Sequence, residues 1–430
     1  MGYLTANDRP GEHGPSWYAA SAGDIPERPV LEGEHKADIC VVGGGYAGLS
    51  AALHLSERGY DVVLVDANRM GWGASGRNGG QLGTGPRAPM DGYEQALGPA
   101  DARRAWDIAI AANALVKDLI THHGIDCDIA PGHLEAAWRE SDARELADWP
   151  DEAAERYGHT GLRYVSGEEV ADMLGTRRYH GGVVDPHAAH LHPLKLTLGL
   201  ARAAESAGAR LFERSPAVRA AEGRVETAAG SVKAEHVLLA CNGYIDGLES
   251  RVLARVMPIN NFIIATEPLD PDTARRINRD SLCVSDTRFV LNYYRLTPDH
   301  RLLWGGGESY GRRFPRDIAK VVRRTIAQIY PDLAEVAVTH AWGGTLAITG
   351  NRMPAFQRLS PRLWSISGWS GSGVHMATMG GQIAAEAIAG TTERWDLMAR
   401  LPVPPFPGGD WFRFPLLAAA MSWYALRDRL

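Results

Sequence analysis

The six residues Gly43-Gly44-Gly45-Tyr46-Ala47-Gly48 constrain the fold more than any other part of the chain. They fit G-x-G-x-x-G, follow the apolar run ADICVVG (37–43) and open the helical segment YAGLSAALHLSERG (46–59). A second apolar run, YDVVLVD (60–66), ends in Asp66. Two buried strands joined through one helix are the signature of a parallel βαβ unit. Gly43 permits the tight turn, Gly45 lets a pyrophosphate approach the helix start at Tyr46 and Ala47, and Gly48 lets helix and sheet pack closely. Asp66, with Ala67 beside it, can accept both hydroxyls of an adenosine ribose. The plainer alternative is a βαβ turn with incidental glycines, in a chain that has 48 of them. The strand–helix–strand context weighs against it.

The fingerprint alone does not separate a flavin from a nicotinamide dinucleotide. The next segment does. GWGASGRNGGQ (71–81) is a second polar glycine-rich loop where a nicotinamide domain would enter another helix. A ribityl chain and ring need such a wrapping, and Ser75, Arg77, Asn78, Gly79 and Gly80 supply hydroxyl, charge, amide and bare backbone. A surface loop is the alternative.

Composition narrows the class. At 430 residues the chain is long enough for two or three domains of roughly 150 residues. With 45% hydrophobic and 22% charged residues it is not disordered. A net charge of −6 argues against a nucleic-acid partner, which requires a basic face. Cys40, Cys127, Cys241 and Cys283 form no CxxC, and MGYLTANDRPGEHGPSW carries no leader core, so a soluble cytoplasmic protein with reduced thiols is expected. The uncharged run 414–426 is too short for a transmembrane segment.

Residues 99–123 and 140–157 read as helices by period, and GGVVD (181–185) as a strand. DPHAAHLHP (185–193) then leads into a helix that opens at Pro193 and ends at Gly208. Residues 210–240 alternate apolar and polar, closing on the strand HVLLA. From Pro258 to Gly307 the text turns to β type, with a hairpin turning at Pro298-Asp299. A helix at 315–330, the loop WGGTLAITGNRMP (342–354) and GWSGSGV (368–374) before a long helix follow. Parallel α/β text split by β-rich inserts predicts two interleaved domains.

These strings resemble the FAD-dependent glycine/D-amino-acid oxidase (DAO) superfamily, and within it the γ-glutamylputrescine-oxidising group of bacterial putrescine catabolism. The resemblance runs from SWYAAS (16–21) through both glycine loops, HLHPLKLTLG (190–199), IATEPL (264–269), YYRLT (293–297) and the final FPGG…WYALRD, nearly the whole chain. It implies an α/β fold. A GR2-type, Rossmann-like FAD domain would comprise 1–92, 188–256 and 343–430. An α+β substrate domain, 93–187 and 257–342, would cover the isoalloxazine with a mostly antiparallel sheet. Val218 joins the FAD contacts expected.

The resemblance also implies an amine oxidase. Hydride passes from a small-molecule amine to flavin N5, the imine hydrolyses to aldehyde and ammonia, and O2 becomes H2O2. A dehydrogenase with another acceptor, a biosynthetic tailoring flavoenzyme and a non-catalytic FAD-binding protein are the alternatives. Sarcosine-type relatives use a lysine to assist oxygen, but Lys36, Lys117, Lys195, Lys233 and Lys320 lie in no matching motif. Covalent relatives attach the flavin through a cysteine after Trp342 or a histidine before the second loop. Those stretches hold neither here, so non-covalent FAD is expected. Amino-acid oxidases of the family grip an α-carboxylate with an arginine shortly before D-G-x-P. Asn351-Arg352-Met353-Pro354 occupy that motif here and Leu346 the arginine's place, which implies an amine whose acidic group, if any, is remote from the reacting carbon.

Three constellations remain. Gly371, Gly373 and Val374 resemble the family's GxSGxG turn, whose helix start would face the flavin N1 and C2 carbonyl. Ser372 stands where relatives usually have histidine, and a structural helix start is the alternative. His187, His190 and His192 near Asp185 mimic a metal site, but their spacing matches no zinc pattern and no metal is expected. Tyr293, Tyr294 and Arg295 lie on the hairpin with Trp304 and Glu308. Alternation puts Tyr293 and Arg295 on one face and Tyr294 on the other. The resemblance makes this sheet the substrate roof and the three residues catalytic candidates, against a reading of cross-strand packing. PLLAAAMSWYAL (415–426) reads as a packed helix instead of a membrane-touching or partner-binding one.

Overall fold

A computed structural model describes residues 2–288 and 290–407. PLLAAAMSWYAL and most of FPGG…WYALRD lie outside the described residues. The βαβ unit is strand Gly33–Val42, helix Tyr46–Ser56 and strand Val62–Val65. It sits at the centre of a sheet ordered 355–360, 363–367, 230–239, 33–42, 62–65, 210–212. The inner pairings are parallel, and the edge hairpin 355–367 is antiparallel. Both faces are covered, which is why VVLV is apolar throughout. Ile39, Val41 and Leu64 point into a core shared with helices Tyr46–Ser56, Pro193–Ser206 and Gly373–Ile388. Cys40, Val42, Val63 and Val65 point into a second core on the other face.

The β-rich inserts form a second sheet, ordered 338–348, 257–268, 301–309, 293–296, 283–286, 130–136, 181–190, 81–82, with 163–166 paired to 181–190. Its pairings are antiparallel apart from 130–136 beside 283–286. Helix Ile318–Ile329 covers one face, packing Val322, Ile326 and Ile329 with Phe262 and Trp304.

The two sheets share more chain than the sequence suggests. Strands Gly181–His190 and Val338–Ile348 belong to the second sheet and run across the expected boundaries at 187/188 and 342/343. Gln81–Leu82, from the second glycine loop, also joins that sheet. Helix Pro99–His122 buries Ala105, Trp106, Ala109 and Val116 in the core of the first sheet's helices, although it follows the expected boundary at 92/93. No helix among the described residues is long and apolar enough to cross a membrane.

Candidate functional site

The parallel strands end at Val42, at Val65 and just before Ala240 on the wall of a cavity of about 810 Å³, closed on its far side by the second sheet. Carboxyl ends of parallel strands are where open α/β sheets bind ligands. Gly43, Gly44, Gly45, Tyr46, Ala47, Asp66 and Ala67 line this end. Gly43 holds φ 114°, and a Cβ there would come within 2.8 Å of the Ala240 carbonyl. Gly48 is not on the wall; its missing Cβ would be 1.9 Å from the Gly43 carbonyl oxygen, so it sets the helix against the turn. The helix N-cap is Gly45, which has no side chain to cap the first turn. Tyr46 N–H donates to Ser75 Oγ (3.0 Å). Asp66 accepts from Gly44 N–H (2.6 Å) and Asn68 N–H (2.7 Å), while burial pushes its carboxyl above the usual range. Val218, 64% exposed, borders the same end.

The second glycine loop crosses the cavity with Ser75, Arg77, Asn78 and Gly79 on its wall. Its polar groups turn partly inward to the protein. Asn78 Nδ2 donates to the Ala74 and Ser75 carbonyls, and its Oδ1 accepts from Gly80 N–H (2.8 Å). The Arg77 guanidinium is mostly engaged by the protein: it pairs with Asp8, donates to the Trp72 and Gly343 carbonyls and stacks on the Trp72 ring, while its Nη2 is buried without a partner among the described residues. Gly80 lies behind the wall, against the Leu191 carbonyl.

Opposite, helix Gly373–Ile388 starts at the cavity with Gly371, Gly373 and Val374 on the wall. Its N-cap, Ser372, makes no side-chain cap, so first-turn N–H groups and their partial positive charge face inward. His375, in the first turn of that helix, donates to the Gly85 carbonyl (3.2 Å), and burial lowers its pKa to about 4. Two helix starts without side-chain caps, an acceptor at a strand end and a wrapping loop fit the diphosphate, ribose and ring system of FAD.

Of the three catalytic candidates, Tyr293 alone lines the cavity; its hydroxyl donates to Asn261 Oδ1. Tyr294 is corrected to a core residue, stacked on Trp304 with centroids 4.3 Å apart and its hydroxyl 3.4 Å from that of Tyr330. Arg295 is likewise a brace, donating to the Gly79 (2.9 Å) and Leu191 (2.8 Å) carbonyls behind the wall. The histidine run serves turns and caps. His187 and His190 bond the Thr160 and Ser281 carbonyls, and His192 Nδ1 accepts from Lys195 N–H at the helix start.

Beyond Tyr293 lie polar residues of which the sequence reading names only Glu308. There the cavity wall carries Arg87, His133, Glu135, Ser285 and Glu308. Arg87 follows the second glycine loop in GTGPRAPM, a short stretch that offered a signal of position but none of partnership. His133, Glu135 and Ser285 meet through the pairing of 130–136 with 283–286, which no local pattern announces, and Glu308 lies on strand Arg301–Ser309. Leu346 faces the cavity, and none of the five lysines does. Cys241 and Cys283 reach the wall, but burial pushes both thiols up to about 12.

Residues 38–387 match the DAO family, described as FAD dependent oxidoreductase. Over 420 residues the chain is 43% identical to a probable oxidoreductase, OrdL, of Rhizobium meliloti (strain 1021), covering 97% of this chain and 98% of that one. Over 423 residues it is 39% identical to gamma-glutamylputrescine oxidoreductase of Escherichia coli (strain K12), covering 97% and 99%. The fold superposes on glycine oxidase from Geobacillus kaustophilus with a TM-score of 0.69 at 20% identity, over 86% of this chain and 98% of that one. The cavity with its paired helix starts fits FAD, and the chain belongs to the DAO family of FAD-dependent oxidoreductases.

Proposed function

We propose that the enzyme oxidises the C–N bond of a primary amine whose acidic group is remote from the reacting carbon, with γ-glutamylputrescine as the type, giving imine and then aldehyde and ammonia. The observation that carries this reading is Leu346 on the cavity wall. A leucine side chain offers a carboxylate no partner, and burying a carboxylate unpaired costs several kcal/mol. The Escherichia coli relative is named for γ-glutamylputrescine, which supports the same substrate type. O2 is the proposed acceptor, yielding H2O2. The unpaired cysteines suit a cytoplasmic location.

Bound FAD supplies the hydride acceptor. The chain's own part is to hold the amine neutral and oriented. An alkylammonium of pKa ~10.4 is costly to deprotonate at neutral pH, by about 4 kcal/mol. Leu346, Trp369 and the Tyr293 ring give the cavity apolar walls, and desolvation there favours the neutral amine. The start of helix Gly373–Ile388 offers positive charge to an anionic group in the cavity. A peroxide-coupled screen of polyamines, γ-glutamyl amines and amino acids tests the proposal. Peroxide from γ-glutamyl amines supports it; peroxide from glycine or D-alanine alone contradicts it. Turnover only with an artificial electron acceptor would favour the dehydrogenase alternative.

A further inference from the structure

Arg87 differs from the other arginines near the cavity. Arg77 is paired with Asp8, Arg288 with Asp286 (3.0 Å), and Arg295 with two carbonyls. Arg87 has no hydrogen-bond or ion-pair partner among the described residues, and its side chain is exposed to the cavity it lines. It stands beside the start of helix Gly373–Ile388, its Nε 3.9 Å from where a Cβ of Gly371 would be. The surrounding atoms and the like charge of Arg352 press on its protonated form, and Glu135 and Glu308 oppose them. Glu308 accepts from the Tyr310 hydroxyl (2.9 Å). Glu135, on the neighbouring strand Ala130–Ala136, has no side-chain partner among the described residues. A cation and an anion, both unpaired, thus face one compartment.

We infer that Arg87 and Glu135 form a subsite for a non-reacting amino-acid head, whose carboxylate pairs with Arg87 and whose ammonium pairs with Glu135. This rests on the proposed amine oxidation, and it orients the substrate. A carboxylate stabilises an ammonium, whereas the amine being oxidised must be neutral. The nitrogen held by Glu135 is therefore the one that does not react. A guanidinium fork suits the head's carboxylate, and the two contacts together exclude a bare diamine from the full binding energy.

L-glutamine, which carries the head and a γ-amide but no oxidisable chain, is the probe. Its Kd for the FAD-loaded enzyme is read by calorimetry. Arg87→Gln is expected to raise that Kd by about tenfold to a hundredfold, Glu135→Gln by about tenfold, and Arg87→Lys by less than Arg87→Gln. The preference in kcat/KM for γ-glutamylputrescine over putrescine falls in parallel, with FAD content and Tm kept. An Arg87→Gln enzyme that binds L-glutamine within twofold of the parent overturns the subsite. So does one that loses FAD with its preference intact, which would make Arg87 a cofactor contact. If the parent binds L-glutamine but oxidises no amine, the reaction proposal fails and the subsite stands.

Discussion

Cys241 and Cys283 are the thiols that reach the cavity, and a protonated thiol is a poor nucleophile. With both pKa values pushed to about 12 by burial, neither is expected to tether the flavin. Acid precipitation of the holoenzyme should leave the yellow colour in the supernatant; colour in the pellet would contradict non-covalent binding. The substrate's own nitrogen titrates more informatively. On the proposed mechanism it enters as the free base, so kcat/KM is expected to rise between roughly pH 7 and 10, and a flat profile with rate-limiting chemistry would remove the neutral-amine requirement. At this scale the sequence was legible where the structure around the cavity is local. Gly43, Gly45 and Asp66 announce themselves because strand, turn and helix are contiguous. Arg77 and Arg295 announce a charge but not its partner. Asp8 and the Leu191 carbonyl, which engage them, lie in distant parts of the chain.

The hairpin 293–309 shows the same division among elements. Its strands and its turn follow from alternation and Pro298-Asp299, and they form Tyr293–Leu296 and Arg301–Ser309. Alternation also separates Tyr293 from Tyr294 correctly, but it cannot say which face meets the cavity. That is decided by helix Ile318–Ile329, which takes the Trp304 and Tyr294 face into its core. Arg295 then becomes a positioning residue that holds the second glycine loop. Arg295→Ala leaves the Gly79 and Leu191 carbonyls short of donors, and each such loss costs about 1–3 kcal/mol. Urea unfolding should show that deficit, with FAD released more readily. A variant of parental stability whose kcat alone collapses would return Arg295 to a catalytic role.

At the scale of the molecule, the interleaved sheets bury several histidines in neutral form. His190, His192 and His375 have pKa values lowered to about 4, 3 and 4 from 6.5, first of all by burial. Between those values and 6.5 the unfolded chain binds more protons, so stability falls as pH drops through 6.5, by about 1.4 kcal/mol per pH unit for each histidine. Tm measured from pH 7 down to 4 should decline steadily, and a constant Tm would mean that these rings are charged in the folded state. The α/β text and the β-rich inserts were readable as separate sheets because each keeps its own period. The compartment holding Arg87, Glu135 and Glu308 was not, because it exists only once the two sheets face each other. The most direct test of amine oxidation at that junction is anaerobic mixing of the holoenzyme with substrate while the flavin absorbance is followed. γ-Glutamylputrescine is expected to bleach the flavin with a second-order rate at least about tenfold above glycine and D-alanine, a margin of 1.4 kcal/mol. Faster bleaching by the amino acids, or none by any amine, would contradict the account.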